Sequence, residues 1–407
     1  MIARRDKAAP ATQIGTKETW IAFGDLAIWG FIMYGLGTAT PYLRQDLRLT
    51  AFEAGLHGSA LAVGVLIAGA ATDRVARLIG VRWLPDLEVA IIALGIALLA
   101  LAPSLPVSLS GALLIGVGGA ILSTDNNVRL GRVKGDGGRR LLAQAYGLSM
   151  IMAGAAPLAI GLAASELDSW RLALLIPIVA FALVATLRTR GPEAARVVHE
   201  KKPRLSAAYW TACLLIALGV SIEFSFVYWG STMVGRRAGI GNADATLLAA
   251  LFVVGMFLGR VAVGRGVGGG LSPRTLLAGG LVVAMIGAGV VWASSIAALS
   301  GLGLFLGGLG TAVLYPVGLN VALQAAPHAQ MTAAARAAFG TGIALLVAPS
   351  ALGLASDTLG LMAAWAIIPG IALVGLLVVA AMRGPGASPA EELPALEESL
   401  PLGQASA

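Results

Sequence analysis

Charge is what this sequence most lacks. Only 12% of its 407 residues are Asp, Glu, Lys or Arg, about half of the roughly 25% found in soluble domains. Hydrophobic residues make up 57%, and the mean hydropathy is +0.85. Such a chain is not an aqueous globule; its solvent is lipid. Cysteine is almost absent as well. The lone Cys213 excludes an internal disulfide, and three histidines scattered at 57, 199 and 328 make no Cys/His cluster. No metal or other cofactor is expected. The few polar groups inside apolar runs show no nucleophile–base pair, so the chain does not read as an enzyme. Gly264-Arg265-Gly266-Val-Gly268-Gly269-Gly270 superficially suggests a phosphate loop. It lacks the Gly-Lys-Ser/Thr ending and follows no strand, so it reads as a flexible loop. The net charge of +7 invites a nucleic-acid partner. Its basic residues lie mainly in short loops, where membrane topology explains them and no nucleic acid is needed. Met1 to Thr19 is polar and charged, with no cleavable signal peptide visible.

What the chain has instead is apolar runs of about 20 residues, each long enough to span a bilayer. They recur twelve times, at 20–42, 51–72, 84–103, 106–127, 143–165, 168–187, 207–233, 243–263, 275–295, 298–323, 331–355 and 359–382. If the N-terminus is cytoplasmic, all but five of the 28 Lys and Arg residues fall on that side. The exceptions are Arg44, Arg48, Arg171, Arg236 and Arg237. This asymmetry predicts both termini inside, and supports an even number of spans. The expected organisation is a cytoplasmic tail (1–19), a six-helix bundle (20–187), a basic linker (188–206), a second six-helix bundle (207–382) and a disordered tail (383–407).

The two halves repeat one another. At an offset of 192, Ala156-Pro157-x-x-x-Gly161-Leu162-Ala163 falls on Ala348-Pro349-x-x-x-Gly353-Leu354-Ala355, and Ile176-Pro177 falls on Ile368-Pro369. Gly116-x-Gly118-x-Ala120 falls on Gly308-x-Gly310-x-Ala312 at the same offset. At 191, Gly64 and Arg74 fall on Gly255 and Arg265, although Asp73 meets Gly264. Two parallel repeats imply a pseudo-two-fold axis along the membrane normal, with a site between the halves.

Between the second and third runs stands Gly69-Ala-Ala-Thr-Asp73-Arg74-Val-Ala-Arg77-Leu-Ile-Gly80-Val-Arg82. One acid and three arginines do not lie in hydrocarbon, so the stretch reads as a short basic loop at a membrane face. A small residue at Gly69 lets a neighbouring helix approach. The pattern G-x-x-x-D-R-x-x-R-x-x-G-x-R resembles the loop 2–3 signature of the major facilitator superfamily. With twelve spans, a basic central loop and a partial echo at Gly255–Arg274, the resemblance covers residues 19–383. It implies an all-α membrane transporter of two pseudo-symmetric bundles that rock around a cavity lined mainly by helices 1, 4, 7 and 10. It further implies a multi-pass protein of the plasma membrane, bacterial inner membrane in kind, working as a monomer on a small solute.

Ionisable groups inside apolar spans are costly and mark function by default. Glu223 sits near the middle of the seventh run, where desolvation opposes its anion and suits it to exchange a proton. Its bland alternative is a structural carboxyl bonded to a neighbouring helix. Asp25 lies early in the first run with Trp29 four residues on, on the same face. It reads as a coupling or substrate contact, or else as a gate near the interface. Tyr34, Tyr228, Trp229 and Tyr315 offer aromatic walls and hydroxyls, or ordinary packing. Gly69, Asp73, Arg74, Arg82, Asp125, Arg129 and Arg260 lie near the cytoplasmic face. The resemblance implies for them a latch that holds that face shut in the outward-facing state; Arg260 and Arg336 alternatively contact an anion. His57, near the outer end of the second run, reads as structural.

Departures from the family's patterns also matter. Drug–proton antiporters carry an Arg in helix 4 three residues before a Gly; with Gly116 as that Gly, this chain has Leu113 there. Their helix 5 motif survives only as Ala156-Pro157-Leu-Ala-Ile-Gly161, and hexose-carrier signatures are missing. The expectation is a proton-coupled carrier of a small organic solute. A drug or metabolite exporter of the same fold is the alternative, and a sensor without transport is a remoter one.

Overall fold

The structure is a computed structural model that describes residues 16–131, 136–188, 205–268, 270–327 and 329–382. Residues 1–15 of the expected N-terminal tail, the expected C-terminal tail, most of the linker, His199 and His328 fall outside the described residues, and residues 16–19 belong to the first helix. The helices are α1 (Thr16–Asp46), α2 (Ala51–Ile79), α3 (Leu84–Ala100), α4 (Leu105–Gly131), α5 (Asp136–Glu166), α6 (Leu175–Leu187), α7 (Ala207–Ala238), α8 (Asn242–Gly264), α9 (Pro273–Ala293), α10 (Ala297–Thr311), α11 (Leu314–Gln324), α12 (Gln330–Leu359), α13 (Leu361–Ala364) and α14 (Ile367–Ala381). Short 3-10 turns, Val81–Trp83 and Trp170–Leu174, precede α3 and α6. Among the described residues there is no strand.

Among the described residues, eleven helical stretches are long and apolar enough to cross a membrane, α10 with α11 and α13 with α14 each counting as one. The one expected span left over, the third, is α3. Its 17 residues reach about 25 Å at 1.5 Å each, the short end for a bilayer crossing. Two spans depart from single helices. The tenth breaks between Thr311 and Leu314, where Pro316 has no N–H to give the preceding turn. The twelfth begins with the short α13, and Pro369 sits in the first turn of α14, where a missing donor is harmless.

The presumed loop after Thr72 is a correction. Helix α2 runs on through Gly69, Asp73 and Arg74 to Ile79, and only Gly80–Trp83 forms the turn, with Gly80 at φ 82°. Charge bars these residues from hydrocarbon but does not oppose helix, so α2 projects beyond the apolar layer. Within the expected Gly264–Gly270 loop, Arg265 to Gly268 form a turn, and Gly269 lies outside the described residues. Gly266 and Gly268 take positive φ there, and Val267 N–H bonds the Ala262 carbonyl at 3.0 Å.

Helix pairing realises the repeat. In the first bundle α1 packs on α5, and α4 on both α2 and α3; in the second, α7 packs on α12, and α10 on both α8 and α9. In lipid, close backbone contact holds helices together, so small residues sit at the crossings. A Cβ on Gly95 would stand 2.8 Å from the Gly111 carbonyl oxygen, and one on Gly287 2.6 Å from that of Gly303. A Cβ on Gly118 would stand 2.8 Å from the Glu88 carbonyl oxygen, and one on Gly310 2.5 Å from that of Gly280. The Gly64 and Gly116 crossing of α2 and α4 returns as Gly255 and Gly308 between α8 and α10, with backbone against backbone in both. Every pair is 191 or 192 residues apart, so the sequence repeat is a repeat of contacts.

Between the bundles, α2 packs on α12 and α5 on α8. The face where α1 begins and α14 ends is called here the terminal face, and its opposite the far face. Asp357, at the far end of α12, accepts from the backbone N–H groups of Ala51 (2.8 Å) and Phe52 (2.7 Å). It thereby caps α2 of the other bundle. Ser59 Oγ donates to Leu346 O at 2.6 Å, Tyr42 to Thr246 at 3.2 Å, and Asn242 to Gln45 at 3.2 Å. Among the described residues, every hydrogen bond between bundles lies at mid-depth or nearer the far face. Toward the terminal face the bundles part. Gly69, Gly147 and Gly340 have nothing within 4 Å of a built Cβ, and Tyr146 and Phe339 are exposed.

Candidate functional site

The helices that meet at the centre carry the buried polar groups. Helix α1 is the most enclosed span and α7 the next, so a polar residue halfway along either faces protein rather than lipid. Tyr34 lies midway along α1 and Glu223 midway along α7. Glu223 is buried, and the Tyr34 hydroxyl donates to its Oε1 in a short contact. The same hydroxyl lies 3.4 Å from the Met256 sulfur on α8. One turn farther along α8, Arg260 is close enough to act electrostatically on Glu223, Tyr34 and Tyr315. Its Nε is buried and has no hydrogen-bond partner among the described residues. Tyr315, in the first turn of α11, stands beside the break in the tenth span and within electrostatic reach of Tyr146 on α5. Tyr146 donates to Asn127 Oδ1 on α4 at 3.0 Å. Helices α1, α4, α5, α7, α8 and α11 therefore bring their polar groups into one central cluster, with the half-exposed Tyr146 on its terminal-face side. Its chemistry is one carboxylate, one guanidinium and three phenols. Together they suit a proton or a polar solute.

A second polar cluster lies inside the first bundle nearer the terminal face. Asp25 on α1 pairs with Arg188, at the end of α6, at 2.8 Å. Arg188 also donates to the Pro85 carbonyl at 2.5 Å. On α4, Arg129 pairs with Asp125 at 2.8 Å, and Asn126 sits beside Asp25. Glu88, from the first turns of α3, is fully buried among these groups.

The expected residues divide accordingly. Glu223, Tyr315 and Arg260 meet in the central cluster, joined by Tyr34. Asp25, Asp125 and Arg129 belong to the cluster of the first bundle. Trp29 turns its ring onto Gly119 of α4 and packs inside that bundle. Tyr228 lies against Gly37 and Gly58 across the interface, and Trp229 donates to the Pro349 carbonyl at 3.0 Å. Both are buried packing residues on the far-face side of Glu223. Gly69, Arg74 and Arg82 are exposed at the terminal face, with Arg82 over the Trp83 ring. The Asp73 side chain is outside the described residues. His57 is buried between the Ala54 carbonyl at 3.0 Å and Ser108 Oγ at 2.9 Å, as a structural residue.

Sequence reasoning passed over Glu88, Arg188 and Tyr146. Glu88 was legible as an acid inside the 84–103 run, though nearby Asp86 makes it look interfacial. Arg188 resembles one more linker charge until Asp25 is placed opposite.

The family model described as Major Facilitator Superfamily matches residues 26–304. Among curated protein sequences none matches. Solved structures with the same fold include the peptide transporter POT (17% identity, TM-score 0.74, covering 89% of this chain and 93% of that one). The nucleoside transporter NupG is similar over 90% and 99% (13% identity, TM-score 0.72). A D-xylose–proton symporter is similar over 89% and 96% (14% identity, TM-score 0.72). At these identities the likeness is one of fold.

Proposed function

Since the chain belongs to the major facilitator superfamily, we propose that it moves a small polar solute across the membrane by alternating access, with proton exchange at Glu223 as the driving step. The contact between Tyr34 and Glu223 carries this reading. It puts a protonatable group at mid-depth, on the seam between the two bundles, where any rocking motion must break or remake it. An ionised Glu223 is stabilised by the Tyr34 hydroxyl and by Arg260. A proton arriving at the cluster removes that charge, weakens the tie between α1 and α7, and frees Arg260 to balance a solute. The neighbours of known substrate, for peptides, nucleosides and D-xylose with a proton, support small polar cargo without choosing one.

The placement of basic residues supports a cytoplasmic terminal face and a plasma-membrane location. With the bundles tied at the far face by Asp357 and parted toward the terminal face, the conformation is then inward-facing. One chain supplies the whole cluster, so a monomer suffices. A thermal-shift screen of metabolites at two pH values should find a ligand whose stabilisation depends on pH. Flux of that ligand into liposomes should then follow an imposed pH gradient. Flux indifferent to the gradient would remove proton coupling and leave a facilitator; its direction with a gradient present separates uptake from export.

A further inference from the structure

The cluster in the first bundle contains an imbalance that the central cluster around Glu223 does not explain. Neither Glu88 oxygen has a hydrogen-bond partner among the described residues, although Glu88 is 0% exposed. Arg188 Nε is also buried and unpartnered. One buried acid with two orphan acceptors thus sits in the same cluster as an orphan cationic donor. The charged groups facing Glu88 are Asp25 from α1, Asp125 and Arg129 from α4, and Arg188 from the end of α6. Arg82, in the turn preceding α3, is exposed over Trp83, and Arg171 near α6 pairs with Asp46 at the far face. The four facing charges cancel, so an ionised Glu88 leaves the cluster at −1, with that charge on a carboxyl that is itself 0% exposed. Such a charge without hydrogen bonds is costly, and a bound proton would remove it.

We propose that Glu88 is a second proton-binding site, inside the first bundle and separate from Glu223, and that its proton sets how Arg188 is paired. With the proton on, Arg188 is held by Asp25 and the Pro85 carbonyl, as seen here. With the proton lost to water at the terminal face, the new carboxylate accepts from Arg188 Nε, and Asp25 must share its partner. Arg188 is the last described residue before the stretch that joins the bundles. The proton on Glu88 therefore acts on the place where α6 leaves the first bundle.

The test is infrared pH-difference spectroscopy on the full-length protein in lipid, with ¹³C-labelled glutamate to separate Glu from Asp. In Glu223→Gln protein a protonated-glutamate band should persist at neutral pH and be lost on alkalinisation; in the Glu223→Gln/Glu88→Gln double variant it should be absent. A band equally strong in the double variant, or no band in Glu223→Gln, overturns the site. Should the double variant not fold, Arg188→Lys in the Glu223→Gln background keeps the charge but removes the Nε donor. The pH midpoint of the band should then move, and an unmoved midpoint overturns the re-pairing. Loss of the band on adding sodium at fixed pH would assign the site to a metal cation, against the proposal. Failure of gradient-driven flux alone would bear on Glu223 and leave this result standing.

Discussion

The Tyr34 hydroxyl on α1 donates to the Glu223 carboxylate on α7, so the first bundle holds the only buried acid of the second among the described residues. Each residue alone has an ordinary explanation. Together they make protonation at mid-depth a matter between bundles.

Glu223→Gln keeps the side chain's shape and its acceptor oxygen but cannot ionise. Gradient-driven uptake into liposomes should fall at least about tenfold, while exchange of labelled for unlabelled solute, which needs no net proton movement, persists. Tyr34→Phe removes a hydrogen bond to a charged group, a contribution of about 1.5–3 kcal/mol. It should shift the pH dependence of uptake without abolishing exchange. Loss of both activities in Glu223→Gln would mean that the carboxyl binds solute rather than couples protons.

Asp357 tests the far-face closure. It accepts from two α2 backbone N–H groups across the interface, a cap of the kind that contributes about 1 kcal/mol. Asp357→Ala should shift the conformational balance about fivefold toward the far-face-open state. Spin labels on the far ends of α2 and α12, in a protein whose Cys213 is replaced, should report a larger population of long distances. Unchanged distances would make the contact incidental.

Much of this architecture could be read before any coordinates. The Pro157 and Pro349 register, and the Gly116 and Gly308 register, announced the repeat because small residues at helix crossings tolerate few alternatives. Apolar length placed the spans, α3 included. The site was less legible. Glu223 stood out by depth, but Trp29 and Trp229 looked no different from cavity aromatics, because a helical face in a membrane bundle meets lipid, a neighbour or the cavity with similar residues. Arg188 was hidden for another reason. Its partner Asp25 is 163 residues away in sequence, and only packing of α6 against α1 joins them.

The paired crossings predict matched damage. Gly116→Val and Gly308→Val each drive a side chain into the backbone of a neighbouring helix, Leu61 in one bundle and Phe252 in the other. Both variants should melt well below wild type in detergent, by similar amounts, since the two crossings are copies. Tolerance at one and collapse at the other would show that the bundles differ in packing more than their repeat suggests.

Gly69 makes the opposite prediction, and it tests the latch. In this conformation a Cβ there meets nothing within 4 Å, so Gly69→Val should change stability by no more than about 0.5 kcal/mol. A role for Gly69 exists only where α2 closes on the other bundle at the terminal face. There a branched side chain would hold the backbones apart. Uptake should therefore fall about tenfold or more with the melting temperature unchanged, and spin labels on the terminal ends of α2 and α12 should lose their short-distance population. If flux stays at the wild-type rate, Gly69 is no contact in either state and the latch must close elsewhere, with Arg74 and the α4 pair Asp125–Arg129 the next places to look.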